Sequence, residues 1–184
     1  MESVVSDNEA VSRLQRGDEE ALVVLYDRYL DRVYRFALCL LGSREEAEEV
    51  AGESFLQVFR HVRNYRGEGT FSGWLFRIAR NLCFDRMRRG RRLQIISLDD
   101  LAEGEPRREV SPDPTLNLVV QAAMQQLPAD YRLVLTMRDV DGLSNLEVAQ
   151  AMSRTPSATK SLHFRARQAL RDALAGTLGL EEQP

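Results

Sequence analysis

The sequence predicts an all-α chain of two small helical domains joined by a flexible acidic linker. Three observations carry that prediction. Apolar residues recur at three- and four-residue steps along most of the 184 residues, the spacing of one helix face, while strand-like alternation is weak throughout. Between 93 and 115 the periodicity stops in "LQIISLDDLAEGEPRREVSPDPT", which holds three of the six prolines and six acids against two bases, the composition of a tether. Start and stop signals for helices sit at the ends of the periodic segments. The domains are therefore expected at 1–92 and 116–176, with the linker at 93–115 and a tail at 177–184.

In the first domain, Leu22, Leu25, Tyr26, Tyr29, Val33, Phe36, Ala37 and Leu40 share the core face of a long helix that Gly42 ends. Ser43 then caps a second helix, with Glu46 placed to reach back to it as a capping box. That helix turns Ala47, Val50, Ala51, Phe55, Val58 and Val62 inward and carries Glu45, Glu46, Glu48, Glu49 and Glu53 on its other side. "NYRGEGT" at 64–70 reads as a loop. A third helix follows, with Trp74, Leu75, Ile78, Ala79 and Leu82 facing the core and its arginines facing outward.

The second domain is punctuated like a DNA reader. Pro128 begins a helix that runs to about Asp139, and Asp141-Gly142 turns the chain. Ser144 and Glu147 form a capping box on a short helix ending near Met152, and Thr155-Pro156 opens a last helix reaching about Ala175. Helix, glycine-containing turn, short helix, tight turn and basic helix is the helix-turn-helix order, whose second helix enters the major groove. Ser157, Thr159, Lys160 and Ser161 lie early on that helix, where base edges are reached, and Phe164, Arg165 and Arg167 follow.

Charge points to the same ligand. The formal net charge is −3, yet residues 67–92 hold seven bases against two acids, and 155–174 hold four bases against Asp172 alone. Two separated basic elements in an acidic chain suggest two contacts with one polyanion. Cys39 and Cys83 sit inside apolar helical patterns and are expected to be buried free thiols. No apolar run approaches the roughly 18 residues of a membrane span, and "MESVVSDNEA" lacks the basic start and apolar core of a secretory signal, so a cytoplasmic location is expected.

Four stretches together resemble the extracytoplasmic-function (ECF) sigma factors of bacterial RNA polymerase, over about Asp18 to Leu174. "EEALVVLYDRYLDRVYRFALCLLGSREEAEEVAGESFLQVFR" is similar to the helices that begin region 2 and dock on the polymerase clamp. "FSGWLFRIARNLCFDRMRRGRR" is similar to the helix that reads the promoter −10 element. "LPADYRLVLTMRDVDGLSNLEVAQAM" and "TPSATKSLHFRARQALR" resemble region 4, which binds the −35 element and the polymerase flap.

The resemblance implies a −10 contact by Asn64, Tyr65, Arg66, Arg77, Arg80, Asn81, Asp85, Arg88 and Arg89, with bases held in pockets and arginines along the strand backbone. It also implies a −35 contact by Ser157, Thr159, Lys160, Ser161, Phe164, Arg165 and Arg167, and core-polymerase docking by Glu49, Glu53 and Phe55. An anti-sigma factor is the implied regulator. Three positions depart from the family pattern. Gly52 replaces a usual Gln, Asn145 a usual aromatic residue, and Leu162 a usual Arg, whose loss is expected to weaken a phosphate contact or alter the −35 preference.

Two other readings explain less. An ordinary helix-turn-helix regulator accounts for residues 116–175 but leaves the basic helix and the acidic helix without a purpose. A nuclease built on Glu45 to Glu53 lacks histidine partners, since His61 and His163 are far apart in sequence and nothing has metal-ligand spacing. No catalytic residue, metal or cofactor is expected.

Overall fold

A computed structural model describes residues 5–94 and 114–177, and among these the regular elements are all helical. The first domain contains α1 (Asp7–Gln15), α2 (Glu20–Leu41), α3 (Arg44–His61), a 3-10 turn at Val62–Asn64, and α4 (Phe71–Gln94). The second contains α5 (Pro114–Gln125), α6 (Ala129–Leu135) continuing into a π turn at Thr136–Val140, α7 (Asn145–Met152) and α8 (Pro156–Thr177).

Local signals account for most boundaries. Gly42 closes α2 at φ 73°, where its N–H donates to the Leu38 carbonyl at 2.9 Å, a left-handed position that favours glycine. Ser43 Oγ accepts from the Glu46 N–H at 3.3 Å. The return bond expected from Glu46 is not formed; Ser43 Oγ donates instead to the Glu45 carboxylate at 3.0 Å. α1 escaped the sequence reading, although Ser6 accepts from the Glu9 N–H at 3.3 Å and Ala10, Val11 and Leu14 are buried against the bundle.

Leu25, Val33, Phe36, Val50, Val58, Phe71, Leu75 and Phe76 are fully buried and form the centre of the first domain. The Phe36 and Phe76 rings meet edge to face, with centroids 5.3 Å apart, a favoured aromatic geometry. Trp74 is 8% exposed, so it belongs to the core as its phase on α4 implies. Tyr26, expected on that core face, is instead 38% exposed. Burial pushes the Cys83 thiol up to about 12. Cys39 is only half-buried and accepts a hydrogen bond from Thr136 Oγ1 at 3.1 Å, across the boundary between the domains.

In the second domain, Leu133, Met137, Leu143, Val148, Leu162 and Ala166 fill the centre, each large apolar side chain contributing about 1.5–3 kcal/mol by leaving water. The capping box on α7 is complete: Ser144 Oγ accepts from Glu147 N–H at 3.3 Å, and the Glu147 carboxylate accepts from Ser144 N–H at 2.6 Å. Ser153, at φ 53°, ends α7, and Thr155 Oγ1 caps α8 by accepting from Ala158 N–H at 3.2 Å. The tight turn between the two helices is thus specified at both ends.

The domains touch along two lines, α7 on α4 and α6 with its π turn on α2. At the edges of the expected linker 93–115, α4 continues to Gln94 and α5 begins at Pro114. The linker's remaining residues, and the tail expected at 177–184 beyond Thr177, lie outside the described residues. Among the described residues no helix is long and apolar enough to cross a membrane.

Candidate nucleic-acid interface

The loop before α4 is held on both flanks. Gln15 Nε2 donates to the carbonyls of Val62 at 2.9 Å and Tyr65 at 2.8 Å, so α1 fixes the loop's first half. The Tyr65 ring stacks on Trp74 with centroids 4.6 Å apart, and its hydroxyl donates to the Gly69 carbonyl at 3.3 Å. Asn64, Tyr65, Arg66, Trp74 and Arg77 surround a pocket of about 170 Å³, to which Gln150 of the second domain adds a wall. Asn64, Arg66 and Arg77 are exposed at its rim.

Further along α4, Arg80, Asn81, Phe84, Asp85 and Arg88 line a second hollow of about 470 Å³. The Arg80 guanidinium lies 5.0 Å above the Phe84 ring, a cation–π contact, while its Nε is buried without a hydrogen-bond partner. Arg88 is paired with Asp85, and Asn81 and Arg89 are exposed. Of the nine expected −10 residues, Asn64, Tyr65, Arg66 and Arg77 thus line the first hollow, Arg80, Asn81, Asp85 and Arg88 the second, and Arg89 lies one residue beyond. Arg86 lines neither and pairs with Glu49 of α3 at 2.6 Å.

On α8 the expected −35 set divides. Ser157, Lys160, Ser161, Phe164, Arg165 and Arg167 are exposed on one side, with Phe164 at 64%. Thr159 is fully buried and its hydroxyl donates to the Thr155 carbonyl at 3.0 Å, so it faces the domain core and not a ligand. Leu162 shares that inward face. The expected loss of a phosphate contact at Leu162 is overturned by its position in the core. The Asn145 departure also has a structural use: its amide donates to the Pro156 carbonyl at 2.9 Å and ties the start of α7 to the start of α8.

The acidic side of α3 borders an apolar groove that the periodicity did not single out. Val23, Tyr26, Leu56 and Phe59 are 56%, 38%, 50% and 44% exposed, and with Leu22 and Phe55 they line a groove of about 600 Å³ between α2 and α3. Phe55 is buried, its ring 4.9 Å from Tyr26, and forms the floor. Gly52 borders the same groove, and a Cβ there would meet nothing within 4 Å. Glu53 pairs with Gln57 at 2.8 Å and Arg60 at 3.4 Å, and Glu49 stays largely exposed beside Arg86. The available signal was the surplus of apolar residues Val23, Leu56 and Phe59 outside the core phase.

Comparison with known proteins agrees with this geometry. Residues 25–93 match the family described as Sigma-70 region 2, and residues 117–170 match Sigma-70, region 4. The ECF RNA polymerase sigma factor SigE of Mycolicibacterium smegmatis is 36% identical over 86% of this chain, which spans 65% of that relative's length. The RNA polymerase sigma-H factor of Pseudomonas aeruginosa is 33% identical over 91% of this chain and 93% of its own. The solved sigma factor RpoE of Bartonella quintana, in complex with the anti-sigma factor NepR, shares the fold with a TM-score of 0.70 at 20% identity, covering 85% of this chain and 96% of that one. With a capped helix-turn-helix and both family regions in order, the chain belongs to the ECF sigma factors of RNA polymerase.

Proposed function

We propose that this sigma factor directs promoter-specific initiation through three surfaces of its own: the loop and outer side of α4 for the opened −10 strand, the exposed side of α8 for the −35 duplex, and the groove between α2 and α3 for the polymerase clamp. The sorting of side chains on α4 carries the reading. Trp74, Phe76 and Cys83 are buried while Arg77, Asn81, Arg88 and Arg89 point outward, which supplies cations for a strand backbone and pockets for extruded bases. On α8, Lys160, Arg165 and Arg167 meet phosphates while Ser157, Ser161 and Phe164 face bases. In the groove, exposed apolar residues supply the anchor and Glu19 and Glu20 line its edge, while Glu49 and Glu53 add acidic charge on helix α3, suited to a basic partner surface.

Replacing Arg80 and Asn81 with Ala tests the −10 assignment. Open-complex formation, followed by permanganate reactivity of unpaired thymines, should be lost while core-polymerase binding is kept. Equal loss of both would overturn it. The chain has no catalysis of its own in this reading and binds promoter duplex poorly without core polymerase; tight duplex binding by the free protein would favour an ordinary helix-turn-helix regulator.

Control by an anti-sigma factor completes the proposal. The Bartonella quintana relative was solved bound to one, and the groove between α2 and α3 offers an apolar face for a partner helix to cover. Purification from native cells under inducing and non-inducing conditions should recover a stoichiometric inhibitor in the latter, and its consistent absence would count against this control.

A further inference from the structure

The arginines of α4 are held in unlike ways. Arg86 is paired with Glu49 of α3 at 2.6 Å and Arg88 with Asp85, so each of these cations meets a carboxylate. Arg80 meets a ring instead. Its guanidinium carbon lies 5.0 Å from the centroid of Phe84, one turn further along the same helix. Its Nε is buried without a hydrogen-bond partner, and among the described residues no carboxylate pairs with it.

The two arrangements differ in what is left of the cation. A carboxylate fixes a guanidinium and neutralises it, whereas an aromatic ring attracts it through the ring quadrupole and leaves its charge whole, with its in-plane N–H groups free of an anion. Four residues apart on a helix, the two side chains are neighbours on one face. Phe84 is itself anchored, packed partly buried against the core of the first domain. Both residues line the hollow that Asn81, Asp85 and Arg88 complete. A long side chain immobilised before its ligand arrives does not lose that freedom on binding.

We propose that Phe84 is a positioning residue for the −10 contact: its ring holds the Arg80 guanidinium in place, still fully charged, for a phosphate of the strand seated in this hollow. The role rests on the strand reading of α4 given above; the contact between ring and guanidinium does not. Phe84 acts through Arg80 and takes no base of its own. An aliphatic residue in its place would keep the apolar packing and lose the attraction for the cation, while a carboxylate would hold Arg80 and cancel its charge.

The contact is tested first in the free full-length chain by nitrogen-15 NMR. The Arg80 Nε–H signal, assigned by its loss in Arg80→Lys, should be displaced by the ring current in the wild type and in Phe84→Tyr, and should return to the ordinary arginine position in Phe84→Leu. An undisplaced wild-type signal would overturn the contact. The role is tested in the holoenzyme with core polymerase, by anisotropy of a fluorescein-labelled single-stranded −10 oligonucleotide at several salt concentrations. Arg80→Ala should weaken binding and lower the slope of log affinity against log salt by about 0.7, the loss of one single-strand phosphate contact. Phe84→Leu should weaken binding about fivefold, the scale of a partly desolvated cation–π contact, and Phe84→Tyr should restore it. In the Arg80→Ala background, Phe84→Leu should add nothing. A loss of the same size in that background would overturn the positioning role, because the ring would then act without Arg80. Wild-type binding by Phe84→Leu beside weak binding by Arg80→Ala would overturn it as well. Unchanged affinity and slope in Arg80→Ala would overturn the strand reading, and this role with it, even with the ring contact seen by NMR.

Discussion

The Asp141 carboxylate is fully enclosed 3.7 Å from the Arg35 guanidinium, beyond hydrogen-bond reach, and neither of its oxygens accepts a hydrogen bond. Burial pushes this carboxyl up from 3.8 to about 6, against the pull of Arg32 and Arg35. Because the folded form binds the proton more tightly than the unfolded one, the contribution of Asp141 to stability is present below about 3.8 and is lost as the pH rises through about 6.

Glu147 works in the opposite sense. Burial raises its carboxyl, but bonds from Ser72 and Ser144 outweigh that and hold it below the ordinary value, so its contribution fades as the pH falls. The difference between wild type and Asp141→Asn therefore isolates the first group. The variant should gain in urea midpoint relative to wild type as the pH is raised from 4 to 7, and a constant difference over that range would contradict the buried-carboxylate account.

Exposed apolar residues on the groove should matter for association and little for folding. Leu56→Glu and Phe59→Glu are expected to leave the thermal midpoint nearly unchanged, since surface substitutions usually stay within about 0.5 kcal/mol. Affinity for core polymerase, measured by fluorescence titration, should fall at least tenfold, about 1.4 kcal/mol. A large loss of stability would mean that these side chains hold the bundle together.

Leu162 and Lys160, two positions apart on α8, should separate folding from recognition. Leu162→Arg, which restores the residue type usual in the family, buries an unpaired charge and should destabilise the domain by roughly 3–5 kcal/mol in denaturant unfolding. Lys160→Ala should leave stability alone, weaken −35-dependent initiation and reduce the salt dependence of promoter binding by about one unit of slope. Improved initiation by Leu162→Arg would contradict its place in the core.

Gly52→Ala should stabilise the first domain by up to about 1 kcal/mol, because the residue is within α3 and a Cβ meets nothing. Urea unfolding checks the gain. A loss would indicate that the groove closes over this position when the protein is free.

Most features written in consecutive residues are legible in the sequence, the return bond of Glu46 to Ser43 being the exception. Gly42 as a helix stop, the Ser144–Glu147 box and the Thr155-Pro156 start each depend on a few neighbours, and the helix-turn-helix followed from them. Thr159 was misassigned although its three-residue spacing to Leu162 and seven-residue spacing to Ala166 already placed it inward; its polarity was given more weight than its phase. The groove was hidden because Val23 and Tyr26 come from one helix and Leu56 and Phe59 from another, so their meeting depends on how the two helices cross. Gly73 was silent for a related reason: a Cβ there would lie 2.5 Å from Gln150 Oε1, and Gln150 belongs to the other domain.

The π turn at Thr136–Val140 holds one residue more than an α turn would, with the Asp141 N–H reaching back five residues to Thr136 at 2.9 Å. Each residue of a helix turns the following chain by about 100°. The extra residue thus turns the chain at its exit from α6, which is where Asp141 is carried in towards Arg35 and where the Leu143 N–H reaches back to the Met137 carbonyl at 2.8 Å. Shortening this segment by one would give a more regular helix and carry Asp141 away from that position, so the placing of the buried carboxylate is stored in an irregularity of the backbone and not in any side chain.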